Sequence, residues 1–304
     1  ETYVGAYGTA YANYALGYLY GGNPTSKLTG ELTVEDVKVE TSTGEVPAVN
    51  DAIASVDGKI YFDLANAIAA VGAGDVVIEL YADATLDYNA REAYGTAGTT
   101  SITINGNGKT LTLNQKDSDW SSIGLANANG KLVLNNMIIE KTGYGDTSGA
   151  WNTHAINFTS NVEMNDVTVN NSMSVEAGAT LNNVTINEAN GYYGLWIDGN
   201  GQTVTVNGGA INATNGGRGI KIADEYVGDV KQVTLNVTGT KFNTAKKAAV
   251  LVTSTAGATI TASNVDIANV VADKTSFVWV DEDRAADFGK VTLNGGDAYI
   301  EGGA

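Results

Sequence analysis

The sequence predicts an all-β protein whose chain winds into a parallel β-solenoid of about seven to eight three-stranded coils. Three observations lead to this prediction. Short apolar strands recur in one fixed order, small polar residues separate them, and the unit returns after a few tens of residues along the last two thirds of the chain. Strands this short cannot bury an apolar face alone, so each coil must stack on the next.

Each predicted coil contains three strands in which apolar and polar residues alternate, as expected when one face is buried. The first strands are predicted at 123–125, 156–158, 195–197, 220–222, 250–252 and 278–280, the second at 132–134, 162–164, 204–206, 233–235, 259–261 and 291–293, and the third at 137–139, 167–169, 184–186, 241–242 and 265–267. An antiparallel sandwich or barrel would also give short alternating strands, but it would not repeat one order of strands and corner.

Asparagine, aspartate and glycine follow many of the strands, and these residues suit the left-handed backbone of a tight corner. Asparagines at equivalent corners should form a hydrogen-bonded ladder along the solenoid. The expected members are Asn105, Asn135, Asn165, Asn182, Asn207 and Asn294.

Three regions are predicted: an extension at 1–60, a capping helix with the strand leading into the first coil at 61–100, and the parallel β-helix at 101–304. In residues 1–26, tyrosines spaced by three or four residues indicate a helix with a tyrosine face, and 27–60 contains spare strands. In the cap, Leu64, Ala67, Ile68 and Val71 fall on one helical face before Gly72.

The segments 63–68, 74–80 and 102–111 resemble the beginning of right-handed parallel β-helices of the pectate-lyase-like superfamily. More narrowly, the chain is similar over residues 55–300 to adhesin-like surface proteins of anaerobic bacteria and archaea. The resemblance implies a right-handed solenoid. It implies no single activity, since the superfamily includes lyases, hydrolases, tailspikes, adhesins and structural proteins.

Composition narrows the classes of partner. A formal net charge of −17, with 17 Lys and Arg among 304 residues, disfavours binding to nucleic acid or to anionic membranes. The sequence contains no run of 18 apolar residues, so membrane insertion is not predicted. The chain begins at Glu1 and has no cysteine, which suits a secreted protein after signal removal, so we expect an extracellular or cell-surface location.

The candidate catalytic residues give no convincing constellation. The resemblance would imply hydrolase motifs with an adjacent Asp-Asp pair, which the sequence lacks. A lyase could use Arg218 and Lys221 beside Asp198 and Asp224, but alternation with buried Ile220 also explains the two cations as solvent-facing residues. We therefore expect no enzyme activity.

No cofactor is expected. The acidic runs 117–119 and 281–283 leave calcium binding open, although solvated loops explain them better. His154 has no second histidine with which to share a metal.

Aromatic and cationic residues on the first-strand face form a candidate contact for a glycan or a protein partner. Those at the centres of triplets should point outward, and the alternative is packing under a loop or against another subunit. The members of this candidate contact are Tyr192, Tyr193, Trp196, Arg218, Lys221 and Trp279.

The leading hypothesis from the sequence is a non-enzymatic extracellular structural protein that binds copies of itself head to tail, forming a filament or layer. The alternative is a glycan-binding adhesin or a lyase-like module that contacts cell-surface polysaccharide. The expected assembly interface comprises Tyr3, Tyr7, Tyr11, Tyr14, Tyr18, Leu32, Val34, Val291, Leu293, Tyr299 and Ile300.

Overall fold

The computed structural model describes residues 5–6, 39–41, 44–46, 52–89, 91–116, 122–144, 155–188, 193–214, 218–222, 232–244, 249–253, 258–270, 277–280, 291–294 and 300–302. Several residues of the predicted sites lie outside these ranges. They are Tyr3, Tyr7, Tyr11, Tyr14, Tyr18, Leu32, Val34, Tyr192 and Tyr299, together with His154, Asp224 and the acidic runs 117–119 and 281–283.

The described residues form 29 strands and one short helix. In chain order, the first strands and the helix are β1 (Gly5–Ala6), β2 (Val39–Thr41), β3 (Gly44–Val46), β4 (Ala54–Val56), β5 (Lys59–Tyr61), α1 (Leu64–Ala69), β6 (Gly74–Leu80), β7 (Ala84–Tyr88), β8 (Glu92–Tyr94), β9 (Thr99–Asn105), β10 (Thr110–Gln115), β11 (Ser122–Leu125), β12 (Lys131–Gly143), β13 (Ile156–Phe158) and β14 (Asn161–Asn170). There follow β15 (Met173–Val175), β16 (Ala179–Asn182), β17 (Thr185–Asn187), β18 (Tyr193–Ile197), β19 (Thr203–Asn207), β20 (Ala210–Ala213), β21 (Arg218–Ile222), β22 (Val233–Thr238), β23 (Lys241–Thr244), β24 (Val250–Val252), β25 (Ala258–Ser263), β26 (Asp266–Val270), β27 (Val278–Val280), β28 (Val291–Asn294) and β29 (Ile300–Gly302).

From β6 onward the chain is an all-β solenoid with parallel pairing between successive turns, as predicted. In the structure we count each turn from the 17-stranded sheet, so its first and second strands are the second and third strands of the predicted coil. Its third strands, predicted as the first strands of the coils, form a nine-stranded sheet. In β12 and β14 the first and second strands are continuous, with Asn136 and Asp166 at the bend.

The solenoid has about six turns, slightly fewer than the predicted seven to eight. One register shift lies near each end, between Gly74 and Asp75 in the β6–β9 pair and between Lys241 and Asn243 in the β23–β26 pair. Beyond the second shift, β27, β28 and β29 still extend the two sheets. One turn was missed, because β15 and β16 were not recognised as strands.

The corner between first and second strands uses left-handed residues. Asn136, Asp166, Asn183 and Asn264 have φ values of 47°, 55°, 52° and 53°. Asparagine and aspartate adopt this backbone more readily than other side chains that carry a Cβ. The predicted role of these small polar residues as corners is therefore confirmed.

Inward-facing residues from successive turns stack into continuous apolar columns. One column on the first strands consists of Ile78, Ile104, Leu134, Met164, Leu181, Val206, Val237 and Ala262, all of them buried. Burying a large aliphatic side chain contributes about 1.5 to 3 kcal/mol, so a turn gains stability mainly from the turns next to it.

The end of the solenoid that contains β6 is covered by an antiparallel hairpin and a helix. Strand β4 pairs antiparallel with both β5 and β6, and α1 lies against β4, β5 and β7. Asp63 caps the helix by accepting a hydrogen bond from the Asn66 N–H at 2.7 Å. Leu64, Ala67 and Ile68 are buried in the main core, which confirms the apolar face predicted for this helix.

A separate small sheet precedes the cap. Strand β1 pairs parallel with β2, and β2 pairs antiparallel with β3. Gly5 and Ala6 thus form a strand inside the segment predicted to be helical. Glycine is about 1 kcal/mol less favourable in a helix than alanine, so the helical preference of this segment is weak, and pairing with β2 outweighs it.

Over the described stretches, no helix is long and apolar enough to cross a membrane.

Asparagine ladders run along the outside of the 17-stranded sheet. In the first ladder, Asn135 donates from Nδ2 to Asn105 Oδ1 at 2.9 Å, and Asn165, Asn182 and Asn207 continue the chain at 2.7 to 2.9 Å. This part of the predicted ladder is confirmed. Asn294 was wrongly included, because its backbone register aligns it with Thr261 instead of with Ser263.

A second ladder was not predicted. It follows the second strands from Asn170 through Asn187, Asn212 and Asn243 to Asn269, with Nδ2 to Oδ1 distances of 2.5 to 2.8 Å. Each ladder starts at a carboxylate. Asn105 donates to Glu79 Oε1 at 2.5 Å, and Asn170 donates to Glu140 Oε1 at 2.6 Å.

Substitution of a central ladder residue should destabilise the fold. Asn182→Ala removes the acceptor of Asn207 and the donor to Asn165, and we expect a loss of about 1 to 2 kcal/mol in the free energy of unfolding. Thr180→Ala, on the same face of β16, is the matched control and should change it by less than about 0.5 kcal/mol. Urea unfolding measures both values, and equal losses would contradict a specific contribution of the ladder.

Asp75 should link stability to acid pH. Its carboxylate accepts hydrogen bonds from Thr100 Oγ1 at 2.6 Å and Ser101 Oγ at 2.7 Å, and these bonds, that of Thr100 foremost, lower the pKa of Asp75 below 3.8. Because the folded-state pKa is the lower one, the carboxylate adds stability at pH values above 3.8 and loses this contribution as the pH falls through the folded-state pKa.

The test compares the wild-type protein with Asp75→Asn by urea unfolding at about pH 7 and at about pH 2. The difference in stability should be largest at neutral pH and should shrink in acid. In a Thr100→Val, Ser101→Ala background the pH dependence of that difference should disappear. A difference that is the same at both pH values would contradict the linkage.

Candidate functional site

The outer face of the nine-stranded sheet carries three of the predicted contact residues, Trp196, Lys221 and Trp279. Backbone register aligns one residue from each of seven successive strands into a column, named here the outer column: Ser122, Asn157, Ser174, Trp196, Lys221, Leu251 and Trp279. Their neighbours in the strands, such as Leu195 and Ile197, belong to the main core. The outer column therefore points away from the core, as predicted for Trp196 and Trp279.

Most of this outward column is nevertheless buried. Ser122, Asn157, Ser174, Trp196, Lys221 and Leu251 are all buried, and only Trp279 is half-buried. A polar outer face of a β-sheet normally contacts water, so this face is covered by protein over much of its length.

An aromatic cluster with a lysine occupies the middle of the outer column. The rings of Tyr193 and Trp196 lie with their centroids 5.6 Å apart and pack with Ala155. Lys221 Nζ lies 4.9 Å from the centre of the Trp196 ring and 5.9 Å from that of Tyr193. At these distances a cation interacts favourably with the electron-rich ring faces.

The burial of the cluster bears on the predicted glycan contact. Trp196 is 3% exposed, Tyr193 3% and Lys221 4%, so these side chains contact protein in this structure. Arg218, aligned with Tyr193, is half-buried. A role of these residues in binding a glycan stays a prediction, and it would require the covering chain to move. The lyase arrangement also stays untested, since Asp224 lies outside the described residues.

A polar network lies next to the cluster on the preceding turns. Ser174 Oγ donates to Asn157 Oδ1 at 2.7 Å, and Asn157 Nδ2 donates to Glu176 Oε1 at 2.7 Å. Both Ser174 and Asn157 are buried, so these bonds satisfy polar groups that water cannot reach. The network holds the Glu176 carboxylate at the edge of a cleft.

This cleft has a volume of about 420 Å³ and was not predicted from the sequence. Its lining includes Arg91, Glu92, Ser122, Gly124, Thr159 and Glu176. Its depth depends on small side chains, since Ala93 and Gly124 are aligned in register and both line it. A Cβ on Gly124 would come within 2.3 Å of Thr159 Oγ1.

The charged groups of the cleft have defined surroundings. Glu92 Oε1 accepts hydrogen bonds from the backbone N–H of Asn89 at 3.1 Å and from Asn89 Nδ2 at 3.0 Å. Arg91 has a φ of 57°, which is uncommon for a residue with a side chain, and its side chain is exposed. The cleft thus has one cationic group and two anionic groups.

The expected assembly residues of the C-terminal region lie on the last strands. Val291 and Leu293 are in β28, and Ile300 is in β29. Strand β28 pairs with β25, and β29 pairs with β27. Among the residues that the structure describes, no group of three His, Cys, Asp or Glu side chains is arranged to hold a metal ion.

Comparison with protein-family models, with curated proteins and with solved structures found no match to this chain. The β-solenoid that the resemblance implied is confirmed by the fold itself.

Trp196 should contribute to stability like a core residue although it lies outside the main core. We expect Trp196→Ala to lower the free energy of unfolding by about 3 to 5 kcal/mol, because the ring is buried against Tyr193 and Lys221. Tyr144→Ala, which removes a ring that is 48% exposed, serves as control and should have a much smaller effect. Chemical unfolding followed by circular dichroism measures both, and a loss for Trp196→Ala as small as that of the control would contradict the burial of this ring.

Proposed function

We propose that the protein is a non-enzymatic structural subunit of an extracellular filament or layer, which assembles head to tail through its N-terminal segment and its C-terminal coil. In this proposal the protein resembles adhesin-like surface proteins built on right-handed β-helices. Its partners are copies of itself, at the cell surface.

The observation that carries the proposal is β-structure outside the solenoid in the N-terminal segment. Strand β1 adds in parallel to β2, more than thirty residues further along the chain, and the β1–β3 sheet is not joined to the solenoid sheets by any strand pairing within the described residues. A short strand that adds to a sheet edge can do so between chains as well as within one.

The solenoid suits the other half of such a contact. Strands β28 and β29 each pair with one preceding strand, and their outer edges have no partner strand within the described part of the chain. An edge of this kind offers backbone N–H and C=O groups to an added strand. Because the two contacting surfaces differ, each subunit keeps one of them free for the next subunit, and in this proposal the contact repeats along an axis.

The composition is compatible with an extracellular structural role. A net charge of −17 favours solubility of the single subunit and disfavours association with polyanions. Strand addition and burial of tyrosines would then have to overcome the repulsion between like-charged subunits, so assembly should strengthen as salt screens the charges.

The proposal is tested by negative-stain electron microscopy of the purified full-length chain at several protein and salt concentrations. We expect ordered filaments or sheets. Replacing Tyr3, Tyr7, Tyr11, Tyr14 and Tyr18 by serine, or deleting residues 1–26, should abolish assembly and leave the β-sheet circular dichroism unchanged.

The matched control is the double variant Tyr81→Ser, Tyr144→Ser, because both rings are exposed and both residues lie outside residues 1–26. This variant should assemble like the wild-type protein. Uniform short rods from the wild-type chain at every concentration would contradict the proposal, as would intact polymers of the chain without residues 1–26.

A further inference from the structure

We propose that the cleft on the outer face of the nine-stranded sheet binds a neutral, hydroxyl-rich sugar unit. None of the residues that line this site is assigned to assembly, and its occupancy does not depend on the proposed structural role. It also differs from the aromatic contact predicted from the sequence, which involves other residues.

The size of the cleft suits a small ligand. Its volume of about 420 Å³ falls within the range of ligand pockets, which is about 300 to 1,000 Å³. The volume exists because Ala93 and Gly124 present almost no side chain to it, whereas Trp196, Lys221 and Leu251 fill the outer face of the same sheet on later turns.

Gly124 cannot be replaced here without a change in the wall. A Cβ at this position would lie 2.3 Å from Thr159 Oγ1 and 3.2 Å from Ser160 Oγ. The Ser160 hydroxyl oxygen is already occupied as the acceptor of the Leu125 N–H at 2.8 Å. The floor of the cleft is therefore fixed by the sheet, and a ligand would meet a preformed surface.

The polar groups of the lining complement hydroxyl groups. Glu176 receives one hydrogen bond from Asn157 at Oε1, and a carboxylate has about four acceptor positions in total. Arg91 brings guanidinium donors, and Ser122 and Thr159 bring hydroxyls that donate and accept. A sugar hydroxyl can donate to a carboxylate and accept from a guanidinium in the same pose, and charged partners make such bonds stronger.

The charges of the lining select against acidic ligands. Glu92 and Glu176 outnumber Arg91, and the whole chain carries a net charge of −17. A uronate or a phosphate would therefore meet net repulsion at the cleft and around it. A neutral sugar avoids this cost and still uses all three charged groups.

The experiment is saturation-transfer difference NMR on the full-length chain with the methyl glycosides of glucose, galactose, mannose and N-acetylglucosamine, and with galacturonate as the acidic probe. At least one neutral glycoside should show transfer that saturates with concentration, and galacturonate should bind more weakly than the neutral sugar. Glu176→Gln keeps an acceptor for Asn157 and removes the charge, and it should weaken binding about tenfold.

Arg91→Gly removes the guanidinium and suits the positive φ, so it should weaken binding by a similar factor without loss of thermal stability. Lys241→Gln, an exposed lysine on β23 in the other sheet, is the matched control and should bind like the wild-type chain. The proposal is overturned if no neutral glycoside shows transfer, if galacturonate binds more tightly, or if binding persists unchanged in both cleft variants. NMR detects sugar binding and microscopy detects polymers. The sugar-site proposal and the assembly proposal therefore fail or succeed independently of each other.

Discussion

The structure depends above all on the exact alignment of each turn with the turns above and below it. Parallel pairing places equivalent residues of successive turns directly over one another, so any residue type that recurs in the sequence becomes a continuous column in space. Aliphatic residues then form the core and asparagines form ladders. Both kinds of column require the same register, and a slip of one residue would bury the asparagines and expose the aliphatic side chains.

This dependence explains how much the sequence could predict. Apolar triplets and the asparagines at corners are local patterns, and they identified the solenoid, most of its strands and the first ladder. The turn that contains Met173–Val175 was missed because it is short: the backbone register from Asn165 to Asn182 spans only 17 residues. Asn294 was misplaced because its neighbours in sequence resemble a corner, whereas its register is set by pairing with Thr261.

The outer face of the nine-stranded sheet shows a second limit of the sequence. Alternation correctly predicted that Trp196 points away from the core, since that depends only on the strand. Whether an outward residue contacts water depends on chain segments that are distant in sequence, and no local pattern contains this information. The cleft was missed for a related reason: it arises where Ala93 and Gly124 lack a large side chain, and a small residue in a strand gives no signal of what its neighbours leave open.

The two ladders also have a direction, and the side chains at their starts explain it. An amide can donate toward either neighbour, but a carboxylate can only accept, so Glu79 and Glu140 oblige the first asparagine above each of them to turn its Nδ2 toward it. That orientation leaves Oδ1 facing the next turn, which must then supply a donor. The next asparagine therefore donates from its own Nδ2, and this orientation is repeated along the ladder. Asp87 does the same for Asn114 at 2.6 Å. Hydrogen bonds aligned head to tail polarise one another, and the negative charge lies at the donor end, where it is most favourable. The acidic residues at the starts of the ladders thus set the polarity of hydrogen bonding along the outside of the solenoid, and the repeated asparagines propagate it.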